Sequence, residues 1–231
     1  MTPLRKHTCV VLISANAEWE AARRKNQGGL LKMTPFGEFF TGNHDDWNLI
    51  YCQGGWGKTS AAASAQYAIS TWKPDLIVNL GTCGGFAGRV ERGEIILAAK
   101  TAIYDIVERM GEMQTALDFY SLKADLTWLS EPYPHAVRQE TLVSADQDLD
   151  PLMVPLLVKQ FNASAADWES GAIAWTAARN QTRCLILRGV SDLVDENGGE
   201  AYVEAGLFDR RAAGIMDRLL DALPTWLDCV R

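Results

Sequence analysis

The chain reads as an α/β protein, and three observations carry that expectation. Short apolar runs bounded by turn residues recur along it, segments of helical character lie between several of them, and no Pro- or Ser-rich linker breaks the alternation. The expected strands are residues 9–14, 49–52, 76–80, 94–99, 141–144 and 185–190, each an apolar run with turn-forming neighbours. The expected helices are 17–25, 59–72 and 169–180. The second of these is alanine-rich and is closed by Lys73, Pro74 and Asp75 before the next strand. A hairpin is expected from 37–42 through Asn43, His44, Asp45 and Asp46 as turn, returning over 47–52. Residues 202–223 carry apolar side chains at helical spacing, with Pro224 just beyond, which predicts a long amphipathic C-terminal helix.

Composition narrows the function classes. The 231 residues suit one compact domain spanning 1–231, given about 150 residues per domain and a 48% apolar content ample for one core. The net charge of -7 argues against a nucleic-acid partner, because phosphate binding needs a basic surface. Near the start, basic residues precede an apolar run of only Cys9 to Ile13. That is too short for a secretory signal or a membrane span, so a cytoplasmic protein without a membrane partner is expected.

The five cysteines are scattered without a CxxC pair, so neither a disulfide framework nor a zinc site is indicated, and they read as small buried apolar residues. His7, His44 and His135 lie far apart with no i, i+4 partner, which favours surface or capping roles over ligation. Neither a metal nor a cofactor is expected.

Four segments carry candidate chemistry. Gly57-Lys58-Thr59 invites a phosphate-loop reading, but the glycine that pattern needs five positions earlier is Cys52, leaving a glycine-rich turn into a helix. Residues 78–86, VNLGTCGGF, follow a strand directly, and glycines at the C-terminal end of a strand let a ligand approach the backbone. Asp167-Trp168-Glu169 places acids at a helix start, where the macrodipole favours them and where helix capping is the alternative role. Residues 185–190 end in Ser191-Asp192, a carboxylate placed to face a ligand or, equally, to cap the next element.

Taken together and in order, these pieces resemble the nucleoside phosphorylase superfamily, most closely its hydrolytic branch, the 5'-methylthioadenosine/S-adenosylhomocysteine nucleosidases. Residues 13–18 (ISANAE) resemble the first-strand motif that delivers an acid, and Gly54-Gly55-Trp56-Gly57-Lys58 resembles the family's SGIGK turn. Lys73-Pro74-Asp75 followed by 79–85 resembles KPD and NTGSAGG. Arg92-Gly93-Glu94-Ile95-Ile96 is similar to VGDIVV, Ser144-Ala145-Asp146 to SGD, Asp167-Trp168-Glu169 to EME, and Val190-Ser191-Asp192 to ISD. The likeness runs over 10–195 and thins across 107–137.

The resemblance implies a three-layer α/β/α sandwich around a mixed twisted sheet that closes partly into a barrel, assembled as a homodimer. It implies cleavage of an N-glycosidic bond in a small-molecule nucleoside, which passes through an oxocarbenium-like ribosyl cation. Asp192 would act as general acid on the purine and Glu18 would orient or deprotonate the attacking water. Glu169 would hold the ribose hydroxyls, with Trp168, Ser191, Gly81, Thr82 and Asp146 completing the substrate site.

Two departures matter. Counted without gaps, the family's catalytic glutamate falls on Trp19, with Glu18 and Glu20 on either side, and Glu18 is the nearer candidate. The family's base-stacking Phe has become Asp148, which cannot stack on a purine, so the base identity stays open. The phosphate-using hexameric relatives carry an Arg where this chain has Asn79, which favours water over phosphate as nucleophile. A phosphorylase and a non-catalytic nucleoside-binding protein remain the alternatives.

Overall fold

The structure is a computed structural model that describes residues 6–26, 29–195, 198–200 and 206–231. In chain order the elements are β1 (His7–Ile13), α1 (Asn16–Lys25), β2 (Lys32–Thr34), β3 (Gly37–His44), β4 (Trp47–Gln53) and α2 (Gly57–Trp72). There follow β5 (Leu76–Phe86), β6 (Ile95–Ile103), α3 (Met113–Phe119), β7 (Ser121–Lys123) and β8 (Arg138–Ser144). A 3-10 turn (Pro151–Met153) then leads to α4 (Val154–Phe161), β9 (Ala163–Asp167), α5 (Ser170–Arg179), β10 (Arg183–Asp195), β11 (Gly198–Gly199) and α6 (Leu207–Asp228).

All described strands join one mixed sheet. β2, β3, β4, β1 and β5 follow one another across it, and β5 pairs with both β9 and β10. Because β9 continues through β8 and β6 back to β10, the five strands β5, β9, β8, β6 and β10 close into a ring. This is the partly barrelled mixed sheet that the resemblance implies.

The period-2 alternation of β1 builds the layers. Cys9, Val11 and Ile13 pack in one cluster with Trp19, Ala22 and the α6 side chains Met216, Leu219 and Leu223. Val10 and Leu12 point to the other face and meet Ala61, Ala65 and Ala68 of α2 with Ile173 and Ala177 of α5. The alanines of α2 let two helices lie close over that face. β5 is buried along nearly its whole length, as expected of a central strand covered on both sides.

Several elements differ from the sequence expectation. The hairpin turn is two residues, Asp45-Asp46, since His44 pairs with Trp47. Asp45 takes the left-handed φ of 44° that such a tight turn requires. The C-terminal helix does not stop before Pro224 but runs through it to Asp228. Beyond the proline, Trp226 and Leu227 are buried in the same cluster as Leu223, and that burial outweighs the lost backbone hydrogen bond. The expected start of that helix, 202–205, lies outside the described residues. β9 went unforeseen because its sequence, ASAAD, has no strand propensity; it is a strand by virtue of its places beside β5 and β8.

Candidate active site

A cavity of about 510 Å³ opens beside the second half of β5 and the C-terminal ends of β9 and β10. Each wall brings its own acid. Glu18 sits at the third position of α1, where the N-terminal backbone amides favour a carboxylate, and its side chain turns back toward the sheet. Its Oε1 accepts from the Thr82 amide at 2.6 Å and the Thr82 hydroxyl at 2.7 Å, and its Oε2 from the Ala15 amide at 3.3 Å. Burial pushes the Glu18 carboxyl above the usual range, against the pull of Arg188 and of these donors.

The neighbouring candidates go elsewhere. Glu20 is exposed and pairs with Arg23 at 3.0 Å. Trp19 is buried and its indole donates to Glu38 at 3.0 Å.

Glu169 stands just before α5. Its Oε1 accepts from the amide of Gly57 at 3.1 Å, the first residue of α2, which holds a φ of +75°. The glycine-rich turn at 54–58 thus aims an amide at this acid, and Lys58 donates its own amide to Asp146 at 2.6 Å. Burial, reinforced by the Asp167 carboxylate and opposed by Arg188, pushes the Glu169 carboxyl up to about 8.

Asp192 follows a bulge in β10, where the register with β5 shifts between Val190 and Asp192. The bulge re-aims the strand so that Ser191 and Asp192 both line the cavity. Ser191 donates to the Asp192 Oδ1 at 2.6 Å and lies 3.2 Å from the carbonyl of Cys83.

Behind the wall lies a buried cation. Arg188 Nε donates to Asp167 Oδ2 at 2.8 Å and to Ser170 Oγ at 2.9 Å, and Nη2 donates to Asn79 Oδ1 at 2.7 Å. Asn79 passes its own amide to the Leu12 carbonyl, and Ser144 donates to Asp167 Oδ1 at 2.5 Å. A Cβ on Gly81 would lie 1.7 Å from Arg188 Nη1 and 3.0 Å from Glu18 Oε1, so glycine is what lets the guanidinium pass the strand.

Of the residues singled out in the sequence, Glu18, Thr82, Trp168, Glu169, Ser191 and Asp192 line one cavity. Gly81 and Asp146 do not. Gly81 makes room for Arg188, and Asp146 is taken up by the N-terminus of α2 and by Lys58 Nζ at 3.7 Å. Sequence reasoning missed Trp56, Leu149 and Phe208 as lining residues. Trp56, a large aromatic in a glycine-rich turn that stays 62% exposed, was the one with a visible signal.

Asp148 and Gln147 do reach the cavity. Remote from it, the hairpin tip brings His44 Nε2 to 3.1 Å from Asp228 Oδ1 and 3.9 Å from Asp45 Oδ2, an exposed grouping invisible in the sequence because 184 residues separate its partners.

Known proteins resemble this chain in sequence and in fold. A 5'-methylthioadenosine/S-adenosylhomocysteine nucleosidase of Maridesulfovibrio salexigens is 26% identical over 207 residues, covering 83% of this chain and 89% of the relative. One from Staphylococcus aureus is 28% identical over 205 residues, covering 82% and 87%. Among solved structures, a nucleosidase of the same name from Campylobacter jejuni superposes with a TM-score of 0.80 at 17% identity, covering 96% of this chain and 99% of that one. One from S. pneumoniae, holding a transition-state inhibitor, gives 0.77 at 18% identity with the same coverage. The family model of the phosphorylase superfamily matches residues 10–223, nearly every element that builds the sheet and the cavity, and the chain belongs to that superfamily.

Proposed function

We propose that this protein is a purine nucleosidase that hydrolyses the N-glycosidic bond of 5'-methylthioadenosine, S-adenosylhomocysteine or a close analogue, releasing the free base and the ribosyl product. The observation that carries the reading is the lining of the cavity. Glu18, Asp148, Asp167, Glu169 and Asp192 line it, and among the described residues no Lys or Arg does. A lining of carboxyl groups with no cation offers acceptor oxygens to a ribosyl cation and no counter-charge to a phosphate dianion, which favours water as nucleophile over the phosphorylase alternative. Arg188 stands behind this lining, where Nε and Nη2 donate to Asp167, Ser170 and Asn79, and is not among the residues a bound phosphate would meet.

In the reaction, Asp192 delivers a proton to the imidazole-ring nitrogen of the purine as the bond from the anomeric carbon to the base breaks. The water oxygen bonds to that carbon, and its proton passes to Glu18. The raised affinity of Glu18 for a proton suits it to that step. Glu169 accepts hydrogen bonds from the ribose hydroxyls, and Trp168 lies against the sugar. The placement of Glu18 on the cavity wall favours an enzyme over a non-catalytic binder, which has no need of a base there. We also propose a homodimer acting in the cytoplasm. The exposed apolar side chains Val107, Met110, Met113 and Phe119, carried by one stretch, suit a subunit contact.

The test is release of free base from methylthioadenosine, adenosylhomocysteine, adenosine, inosine and guanosine, each with and without phosphate. Release without phosphate is expected. The panel also tells which base tolerates Asp148 where an aromatic would stack. Release that requires phosphate would replace the hydrolytic reading with phosphorolysis.

A further inference from the structure

The turn that aims an amide at Glu169 has no cap of its own. Trp56 stands at the N-cap of α2 and supplies no side-chain hydrogen bond. The cap comes from the loop after β8, where Asp146 Oδ1 accepts from the Lys58 amide at 2.6 Å. Asp146 is itself held. Its amide donates to Asp105 Oδ2 at 3.0 Å, while the Lys58 ammonium donates to Asp105 Oδ1 and lies 3.7 Å from Asp146 Oδ2. The three residues form a closed group, with Lys58 in α2, Asp105 two residues after β6 and Asp146 two after β8. The pairing of β6 with β8 sets the two acids side by side, since Tyr104 still donates to the Ser144 carbonyl at 3.1 Å.

None of the three lines the active-site cavity, yet the turn they clamp reaches it twice. Trp56 lines it, and the Gly57 amide donates to Glu169 Oε1 at 3.1 Å. The clamp is close at that point: Gly57 holds a φ of +75°, and a Cβ there would lie 2.7 Å from Asp146 Oδ1 and 4.0 Å from Trp168 Cε3. The Lys58 and Asp105 side chains are 18% and 20% exposed, and an ion pair so covered gains little net stability. What the group fixes is geometry.

We propose that, with Glu169 as the group that holds the ribose hydroxyls, Lys58, Asp105 and Asp146 are positioning residues that keep the Gly57 amide on its carboxylate, in the charged form that accepts those hydroxyls. Burial and then Asp167 push the Glu169 carboxyl up, Arg188 opposes them, Glu18 adds to the rise, and the Gly57 amide holds it down. An amide donates to the charged form, so its loss raises the proton affinity of Glu169 further.

Carbon-13 NMR titration of the glutamate carboxyls, with no nucleoside present, tests this, the Glu169 signal being the one absent from Glu169→Gln. Asp105→Ala and Lys58→Met should each move its midpoint to higher pH, by about three- to tenfold in proton affinity, roughly the worth of one hydrogen bond. The pair of variants separates position from field. By field alone, removing the anion at 105 lowers the proton affinity of Glu169 and removing the cation at 58 raises it. A rise in both is therefore the signature of the lost amide, and shifts of opposite sign, or no shift, would overturn the proposal. Asp105→Asn keeps one acceptor; it should give a smaller rise and serves if the alanine variant does not fold.

Affinity for a non-hydrolysable nucleoside analogue should fall about three- to tenfold at pH 7 in both variants, less at pH 9, and not at all in the Glu169→Gln background. Equal losses with and without Glu169 would show general loosening and also defeat the proposal. Midpoints that rise in a chain that binds no nucleoside would sink the nucleosidase reading alone. Base release by the wild type, with midpoints unmoved in the variants, would sink the positioning role alone.

Discussion

Two groups of buried charge meet near the end of β10, and they are built on different plans. Around Arg188, Nε and Nη2 of the guanidinium have protein acceptors, and Asp167 is answered in turn by Ser144, Ser170 and Arg188. The acids Glu18, Glu169 and Asp192, brought together from α1, the start of α5 and β10, line a cavity, and Arg188 reaches Glu18 and Glu169 only through its field. Glu18 and Glu169 take a few backbone and hydroxyl donors, and burial raises the proton affinity of both. The difference teaches which charges serve the fold and which await a substrate. A satisfied buried pair is costly to break, whereas a gathering of like charges with raised proton affinity is the mark of a site.

If that distinction holds, a change at Asp192 should cost activity and spare stability. Asp192→Asn keeps the shape and removes the acid, so base release should fall by roughly 10² to 10⁴, about 3 to 5 kcal/mol in barrier, with little change in Tm. A rate near wild type would refute the role given to Asp192.

The converse variant is Arg188→Met, which keeps much of the volume and leaves Asp167 buried without its cation. Stability should drop by about 3 to 5 kcal/mol. In a chain of this size that is roughly 6 to 20 °C in Tm, read by thermal denaturation. An unchanged Tm would mean that the pair is not what holds β10 to β9.

Much of this contrast was legible beforehand. The apolar runs at 9–14, 76–80 and 185–190 correspond to β1, β5 and β10, because a central strand needs little beyond continuous burial to declare itself. The ordering of short motifs pointed to Glu18, Glu169 and Asp192 before any contact was known. What stayed hidden depends on partners distant in the chain. The alanines and serine of β9 are strand-forming only between β8 and β5, and Gly81 shows its purpose only once Arg188 is seen to lie against it. Asp146, read as a substrate contact, caps a helix 88 residues away. The run past Pro224 follows from the burial of Trp226, which no local rule for helix ends records.

A smaller effect sharpens the paired side. Gly81→Ala would set a methyl 1.7 Å from Arg188 Nη1, and the guanidinium, tied to three acceptors, has little freedom to retreat. A loss of about 1 to 3 kcal/mol is expected, read from denaturant unfolding. Arg188→Met/Gly81→Ala should lose less than the sum of the two single variants, since removing the guanidinium removes the clash. Strict additivity would show that Gly81 is needed for some other reason.

The gentlest probe of the cavity side is proton affinity at Glu169. Its carboxyl is pushed up to about 8 in the folded chain, chiefly by burial and then by Asp167. A raised value means the folded state holds a proton that the unfolded chain has already released. The resulting stability is therefore fully present below the ordinary glutamate range and is lost as pH climbs through about 8. Relative to Glu169→Gln, which has no proton to lose, wild-type Tm should decline between about pH 5 and pH 9. Ligand binding should run the other way. Ribose hydroxyls donate to the carboxylate form, so a non-hydrolysable nucleoside analogue should bind wild type more tightly as pH rises toward 8, and that slope should vanish in Glu169→Gln. The Arg188 cluster is already satisfied and contributes no such opposition between folding and binding. Parallel pH trends in stability and affinity would therefore erase the distinction between the two groups of charge.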